Sequence, residues 1–159
     1  MTRSEMAKAL FLKGYNCSQA VLGAFCDVIR MDFDTAMKLA SSFGGGVARL
    51  RQICGTCTAM FMVTGLIRGY TEHEASAKSE HYAFIQAMAK EFEGRNGSIV
   101  CRELLALRAQ NSKNVDNGTT PEANARTDEY YRSRPCLALV EDAVLQTCRT
   151  LGIANEIEE

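Results

Sequence analysis

Apolar residues recur with the period of an α-helix along most of this chain, and this feature restricts the fold more than any other. Residues 17–28, for example, follow the i, i+3, i+4, i+7 pattern of one buried helical face. The only two prolines, Pro121 and Pro135, lie in the second half, and the alternation typical of β-strands does not persist. The sequence therefore predicts an all-α fold, a compact bundle of about six or seven helices.

Capping signals divide the pattern into separate helices. An N-cap side chain accepts a hydrogen bond from the first turn, and glycine suits the left-handed residue after the last turn. The predicted N-caps are Ser4, Asn16, Asp34, Ser98 and Thr71, the last in a capping box with Glu74. Residues 54–67 are apolar on nearly all sides and predict a central helix. Pro135 is expected in the first turn of the last helix.

One stretch departs from the helical pattern. Residues 108–134 are polar and contain turn signals at Asn117-Gly118 and at Pro121. A loop of this length is uncommon in a compact domain, so the sequence predicts either a functional lid or a disordered excursion. The remainder fits one helical domain over residues 1–159, long enough to bury a core without disulfides.

Charge and hydropathy exclude several classes of protein. The net charge is −1, so we expect no nucleic-acid partner. The N-terminal residues contain no apolar stretch of signal-peptide length. The most apolar segment, Thr58 to Ile67, is about half as long as a bilayer span, so membrane insertion is not expected. We therefore expect a cytoplasmic protein; the sequence leaves homo-oligomerisation open.

The seven cysteines are the main chemical signal. A reducing cytosol disfavours structural disulfides, and several thiols there more often indicate redox chemistry or metal binding. Four of them fall in the first turn of predicted helices, where unpaired backbone N–H groups and the helix dipole favour a thiolate. These four are Cys17, Cys54, Cys101 and Cys136. The alternative is that they are small core residues and that the shared helix position is a coincidence.

A glycine run precedes the second of these cysteines. Gly44, Gly45 and Gly46 end one helix, and their backbone N–H groups can also form a nest for a thiolate or another anion. Arg49 and Arg51 would favour an ionised thiol if they lie close to Cys54. The run lacks the Gly-Lys-Ser/Thr ending of a phosphate-binding loop, so nucleotide binding is disfavoured.

Two further features have open interpretations. Cys54-Gly-Thr-Cys57 is a single C-x-x-C, so Cys57 is either a second reactive thiol or a small buried residue. His81 falls on the predicted inner stripe of a helix, where a core histidine is a commoner explanation than a ligand or a proton shuttle.

Four stretches resemble the C_GCAxxG_C_C family of redox-active proteins: GYNCSQAV from Gly14, FGGGVARLRQICG from Phe43, CRELL from Cys101, and the late Cys136. The resemblance implies that the family's four cysteines are Cys17, Cys54, Cys101 and Cys136, with Gly55 following the second. Thr56 and Ala59 stand where the family motif has alanine and glycine, and Cys57 is an extra thiol within it.

Three hypotheses follow. In the first, the four cysteines carry thiol–disulfide or electron-transfer chemistry, as in a thiol-dependent oxidoreductase without a cofactor. Its partner would be a redox protein or a small thiol, and Cys54 would be the most reactive thiol. In the second, the same four thiolates bind zinc or an iron–sulfur cluster. In the third, the cysteines belong to the core of a structural or partner-binding protein.

Overall fold

The computed structural model describes residues 1–109 and 115–158. Within these ranges the chain forms nine α-helices and no strand, which confirms the all-α prediction. The helices are α1 (Arg3–Lys13), α2 (Cys17–Gly23), α3 (Cys26–Ile29), α4 (Phe33–Ala40), α5 (Gly55–Arg68), α6 (Ala75–Asn96), α7 (Cys101–Ala109), α8 (Asp128–Ser133) and α9 (Cys136–Leu151), with a 3₁₀ turn at Ser41–Phe43.

The predicted count of six or seven helices is too low because two short helices were missed. The backbone of Phe25 leaves the helical region, at φ −119° and ψ 7°, and so separates α3 from α2. Helix α8 lies inside the predicted loop 108–134, and the Thr127 hydroxyl caps it by accepting from the Tyr130 N–H at 3.2 Å. Residues 110–114 of that predicted loop lie outside the described residues.

Several helices begin at caps other than those predicted. Asn16 caps α2 as expected, in a reciprocal capping box with Gln19. Thr2 rather than Ser4 caps α1, and Asp32 rather than Asp34 caps α4. Helix α6 begins after Glu74, four residues beyond the predicted cap Thr71. Helix α7 begins at Cys101, and the predicted cap Ser98 accepts a hydrogen bond from the Val100 N–H just before the helix. Pro135 directly precedes the first residue of α9.

The core lies where α5 packs against α2 and α9. Helix α1 packs on α2 and α9, so these four helices enclose most of the buried apolar side chains. The central helix α5 contributes Met60 and Val63, both without solvent exposure. No helix among the described residues is long and apolar enough to cross a bilayer.

Helix α6 is attached to this core by its C-terminal half. Met88 and Phe92 are buried, as the predicted inner stripe requires. Ala77 and His81, nearer the N-terminus of the helix, are only partly buried. The His81 ring meets that of Tyr70 edge to face at 5.7 Å between centroids, so this histidine packs on an exposed aromatic ring.

Candidate thiol site

The four cysteines at helix starts line one cavity of about 320 Å³. Cys17, Cys101 and Cys136 are the first residues of α2, α7 and α9, and Cys54 directly precedes α5. The sequence predicted the helix position of each cysteine but had no information on whether the four helix starts converge. In the structure all four face a common space.

Backbone hydrogen bonds hold the starts of α5 and α7 side by side. The Cys54 N–H donates to the Ile99 carbonyl at 2.7 Å, and the Cys101 N–H donates to the Gln52 carbonyl at 2.6 Å. Between these bonds, Ile53 and Val100 form an isolated antiparallel bridge. These two backbone hydrogen bonds and the bridge between them hold Cys54 and Cys101 at the same end of the bundle.

The glycine run opens a left-handed turn that forms part of the cavity wall. Residues 45–49 all have positive φ, including Val47 at 66°, Ala48 at 47° and Arg49 at 65°. Each non-glycine residue in this conformation costs about 1–2 kcal/mol. Backbone bonds close the turn, among them Arg51 N–H to the Gly45 carbonyl at 3.1 Å. Such strain is typical of functional sites, where the surrounding structure maintains it.

Glycines allow the backbone to approach two of the thiols closely. A Cβ atom on Gly55 would lie 2.6 Å from the Cys17 sulfur, and one on Gly46 would lie 2.7 Å from the Cys101 Cβ. Both distances are shorter than any normal contact. The predicted supporting residues Gly44, Gly45, Gly55 and Arg49 all line the cavity.

The environment of Cys54 favours its thiolate. A hydrogen bond from the Cys57 thiol lowers the Cys54 pKa most, to about 7, against the opposing effect of burial. The Thr56 hydroxyl lies 3.1 Å from the Cys54 sulfur, and the backbone N–H groups of Thr56 and Cys57 lower the pKa further. These are the first-turn groups of α5, which are unpaired within the helix.

The other thiols of the site favour the neutral form. Burial raises the pKa of Cys17 and of Cys101, and raises that of Cys136 to about 12. The next cause for each is the negative charge of the Cys54 thiolate. The pKa of Cys57 is raised because its thiol donates to Cys54. The site therefore holds one easily ionised thiol among neutral ones.

Arg49 and Arg51 line the cavity but make their closest polar contacts with groups other than the Cys54 thiol. Arg51 is 2% exposed and places Nη1 3.9 Å from the sulfur of Cys101, not of Cys54. Arg49 binds the 115–127 segment through the Asp116 carboxylate at 2.7 Å and the carbonyl of Thr120. Hydrogen bonds and burial, rather than an arginine, dominate the Cys54 pKa.

The polar segment supplies site residues that the sequence did not single out. Arg126, Tyr130 and Arg134 line the cavity together with Pro121. Arg134 donates to the Asp116 carbonyl at 2.6 Å, and Arg126 donates to the Phe11 carbonyl at 3.1 Å. The sequence signal that could have identified these site residues is the clustering of arginine and tyrosine in a stretch otherwise rich in small polar residues. The described part of this segment forms one wall of the cavity, and its role as a functional lid stays a prediction.

The remaining cysteines and the two histidines lie outside the cavity lining. Cys148 is buried within α9, and Cys26 is half-buried on α3. Cys57 is fully buried beneath Cys54. Among the described residues, no group of three or more His, Cys, Asp or Glu side chains has an arrangement that can hold a metal ion, and the zinc or iron–sulfur alternative stays a prediction.

Sequence comparison points to the same family as the motifs. The pattern of the family described as "Putative redox-active protein (C_GCAxxG_C_C)" matches residues 15–149, which is most of the chain. No match to the chain was found among curated proteins, and none was found among solved structures.

Proposed function

The chain belongs to the C_GCAxxG_C_C family, and we propose that it is a thiol–disulfide redox protein in which Cys54 is the attacking thiol. One observation carries this proposal. Four cysteines line a single cavity, and the pKa of Cys54 is lowered to about 7 while those of its three neighbours are raised. A thiolate available near neutral pH is the form that attacks disulfides.

The reaction begins on the Cys54 sulfur. Its thiolate attacks one sulfur of a disulfide R–S–S–R, a mixed disulfide forms, and the first R–S⁻ leaves and takes up a proton. A second protein thiol then loses its proton and attacks the Cys54 sulfur, which expels the second R–S⁻ and closes a protein disulfide. Two protein thiols are oxidised, the substrate gains two electrons, and the two thiol protons appear on two molecules of R–SH.

Cys57 is the resolving thiol that the geometry favours. It follows Cys54 by three residues, so the two side chains share one face of the first turn of α5, and its thiol is the largest cause of the lowered Cys54 pKa. Its hydrogen bond with Cys54, and then burial, keep the pKa of Cys57 high, so this thiol stays protonated until Cys54 has reacted. Cys17, Cys101 and Cys136 line the same cavity and are the further thiols able to exchange with this disulfide.

The test uses protein reduced and purified without oxygen, mixed with the neutral compound bis(hydroxyethyl) disulfide and followed by intact mass and peptide mapping. Wild type should lose two hydrogens and yield a Cys54–Cys57 peptide. Cys54→Ser should abolish the reaction, and Cys57→Ser should accumulate the mixed disulfide on Cys54. Cys26→Ser is the control, because that thiol lies outside the cavity lining. Full reactivity of Cys54→Ser would overturn the proposal.

A further inference from the structure

The cavity around the thiols is strongly cationic, and we propose that its substrate is a small disulfide that carries carboxylate groups. This inference rests on the proposed function and names the substrate class for that site. Four arginines line the cavity, namely Arg49, Arg51, Arg126 and Arg134, and none of the described lining residues is acidic. Such a cavity concentrates anions and repels cations.

Three of these arginines have no carboxylate partner within the described part of the chain. Only Arg49 is paired, with Asp116 at 2.7 Å. Arg126 donates to the carbonyls of Phe11 and Tyr15 at 3.1 and 3.0 Å, and Arg134 donates to the Asp116 carbonyl at 2.6 Å. Carbonyl groups fix the guanidinium positions but leave their charges uncompensated. The cavity wall therefore keeps an excess of positive charge even with the Asp116 carboxylate beside it.

Arg51 carries an unused donor at the site. Its Nε donates to the Gly118 carbonyl at 3.0 Å and its Nη1 lies 3.9 Å from the Cys101 sulfur. Its Nη2 is closed off from solvent and has no hydrogen-bond partner in the described residues. A buried, unpaired charged donor is costly. Arg51 lines the cavity, so its uncompensated charge attracts a carboxylate there even though Nη2 itself is enclosed by protein.

The size and remaining lining of the cavity favour a small organic molecule over a protein. A volume of about 320 Å³ is at the lower end of small-molecule sites. Leu104, Leu105 and Leu139 give one part of the lining an apolar character that suits methylene groups. Cys54 is only 6% exposed, so a disulfide on the surface of a folded protein would not reach its sulfur.

The first experiment compares three disulfides of similar length on the reduced wild-type protein. Dithiodipropionate is dianionic, bis(hydroxyethyl) disulfide is neutral, and cystamine is dicationic. Each would be reduced to two thiols while Cys54 and its resolving thiol form a disulfide. Each rate is divided by the rate of the same compound with free dithiothreitol, because a leaving thiol of lower pKa is expelled faster. At low salt we expect the corrected rate of dithiodipropionate to exceed that of cystamine by at least about tenfold, with the difference falling as salt is added. Equal rates, or faster reduction of insulin disulfides than of dithiodipropionate, would overturn the inference.

A variant pair tests the role of Arg51. Arg51→Gln keeps hydrogen-bonding capacity but removes the charge, and it should reduce the preference for dithiodipropionate over the neutral disulfide severalfold. Arg149→Gln removes one charge from an exposed position on α9 and should leave the preference unchanged. The comparison of disulfides on wild type needs no variant, so it decides the inference even if Arg51→Gln fails to fold.

Binding of a redox-inert analogue separates this inference from the proposed function. Suberate has the length and charges of dithiodipropionate but no sulfur, and octanediol is its neutral counterpart. Calorimetry should detect suberate binding to wild type and to Cys54→Ser, and octanediol should bind more weakly. Suberate binding without reduction of any disulfide would overturn the proposed function and support the anion site. Reduction of all three disulfides at equal rates, without suberate binding, would overturn the inference alone.

Discussion

The reactivity expected of Cys54 depends on individual hydrogen bonds. The hydrogen bonds that its sulfur accepts from the Cys57 thiol and from the first-turn donors of α5 lower its pKa. Together they outweigh burial, which would otherwise raise that pKa. Cys17 and Cys136 also begin helices, yet burial and the Cys54 charge raise their pKa values. A helix start alone therefore does not activate a thiol; the side chains that reach the sulfur determine which thiol ionises.

We predict that alkylation of Cys54 by iodoacetamide rises with pH through a midpoint of about 7. The rate follows the thiolate fraction, so it is low below the pKa and reaches a plateau above it. Thr56→Val removes the hydroxyl that lies 3.1 Å from the sulfur. Because a hydrogen bond to a charged group contributes about 1.5–3 kcal/mol, the midpoint should rise by about one to two units, slowing alkylation at pH 7 about five- to fiftyfold.

Thr58→Val is the matched control for this experiment. Its hydroxyl donates to the Cys54 carbonyl at 3.4 Å and does not contact the sulfur, so the midpoint should stay near 7. Mass spectrometry of the alkylated peptide identifies the residue that has reacted. A wild-type midpoint at the ordinary thiol pKa, or equal shifts in both variants, would contradict the assignment.

At this scale the sequence predicted Cys54 as the most reactive thiol, from the glycine run and arginines before it, but not the groups that lower its pKa. The motif and the helix starts placed Cys54 among the candidates, and they left Cys57 undecided between thiol and core residue. Its hydrogen bond to Cys54 depends on side-chain orientation within one helical turn, which a spacing of three residues allows but does not require. The role of Thr56 was likewise not visible, because a threonine one residue into a helix is most often only a surface or packing residue.

Among the elements, the left-handed turn and the close backbone approaches shape the site more than the regular helices do. The φ values of Val47, Ala48 and Arg49 lie in a region that glycine occupies without strain. The sequence offered three glycines for this turn but continued it with three larger residues. Local preference alone would have ended the left-handed stretch at Gly46, and the backbone bonds of residues 48–52 maintain it instead.

We predict that Gly55→Ala destabilises the protein by about 1–3 kcal/mol, because the new Cβ would lie 2.6 Å from both the Cys17 sulfur and the Phe43 carbonyl oxygen. Gly94→Ala is the control, and it should increase the free energy of unfolding where Gly55→Ala decreases it. It lies within α6, and a Cβ added there would meet no neighbouring side chain or other helix within 4 Å, so it should stabilise by about 0.5–1 kcal/mol. Urea denaturation measures both, and equal effects would show that Gly55 is not a contact position.

The helices themselves were largely predictable from periodicity and caps. The central helix predicted over residues 54–67 agrees with α5 within a residue, and the helix predicted after Asn16 begins at Cys17 as α2 does. Its predicted stripe continued to residue 28, past the break at Phe25 that separates α2 from α3. The errors came where local signals were duplicated, as with Asp32 and Asp34, either of which is a good N-cap. The short helix α8 was missed because six residues carry too little apolar periodicity to distinguish it from a loop.

Considered as a whole, the molecule closes its thiol site with a segment that periodicity could not place. Residues 115–127 form part of the cavity wall through contacts from the left-handed turn and from Arg134. These contacts join residues far apart in sequence, so no local pattern predicts them. The segment is held mainly by arginine side chains that donate to its backbone carbonyls, including those of Gly118 and Thr120.

The Asp116 carboxylate of this segment forms an ion pair with Arg49 of the turn. Hydrogen bonds from Asn124 and from the Gly118 N–H, together with Arg49, hold the pKa of Asp116 at about 2. A depressed carboxyl pKa means that this contact is present at neutral pH and is lost only as the pH falls through about 2. The cavity wall should therefore remain in place across the range in which Cys54 titrates.

We predict that Asp116→Asn increases the access of bulky reagents to Cys54. Losing a half-exposed ion pair is worth about 0.2–1 kcal/mol, so a large maleimide should react faster by up to about fivefold, while iodoacetamide, which fits the closed cavity, should react at the wild-type rate. Asp34→Asn, at an exposed position in the first turn of α4, is the control and should change neither rate. Unchanged maleimide reactivity in Asp116→Asn would mean that the backbone contacts of Arg51 and Arg134 alone keep the segment closed. A parallel increase for both reagents would instead indicate that the substitution alters Cys54 itself, since the two reagents differ in size and share the same attacking thiolate.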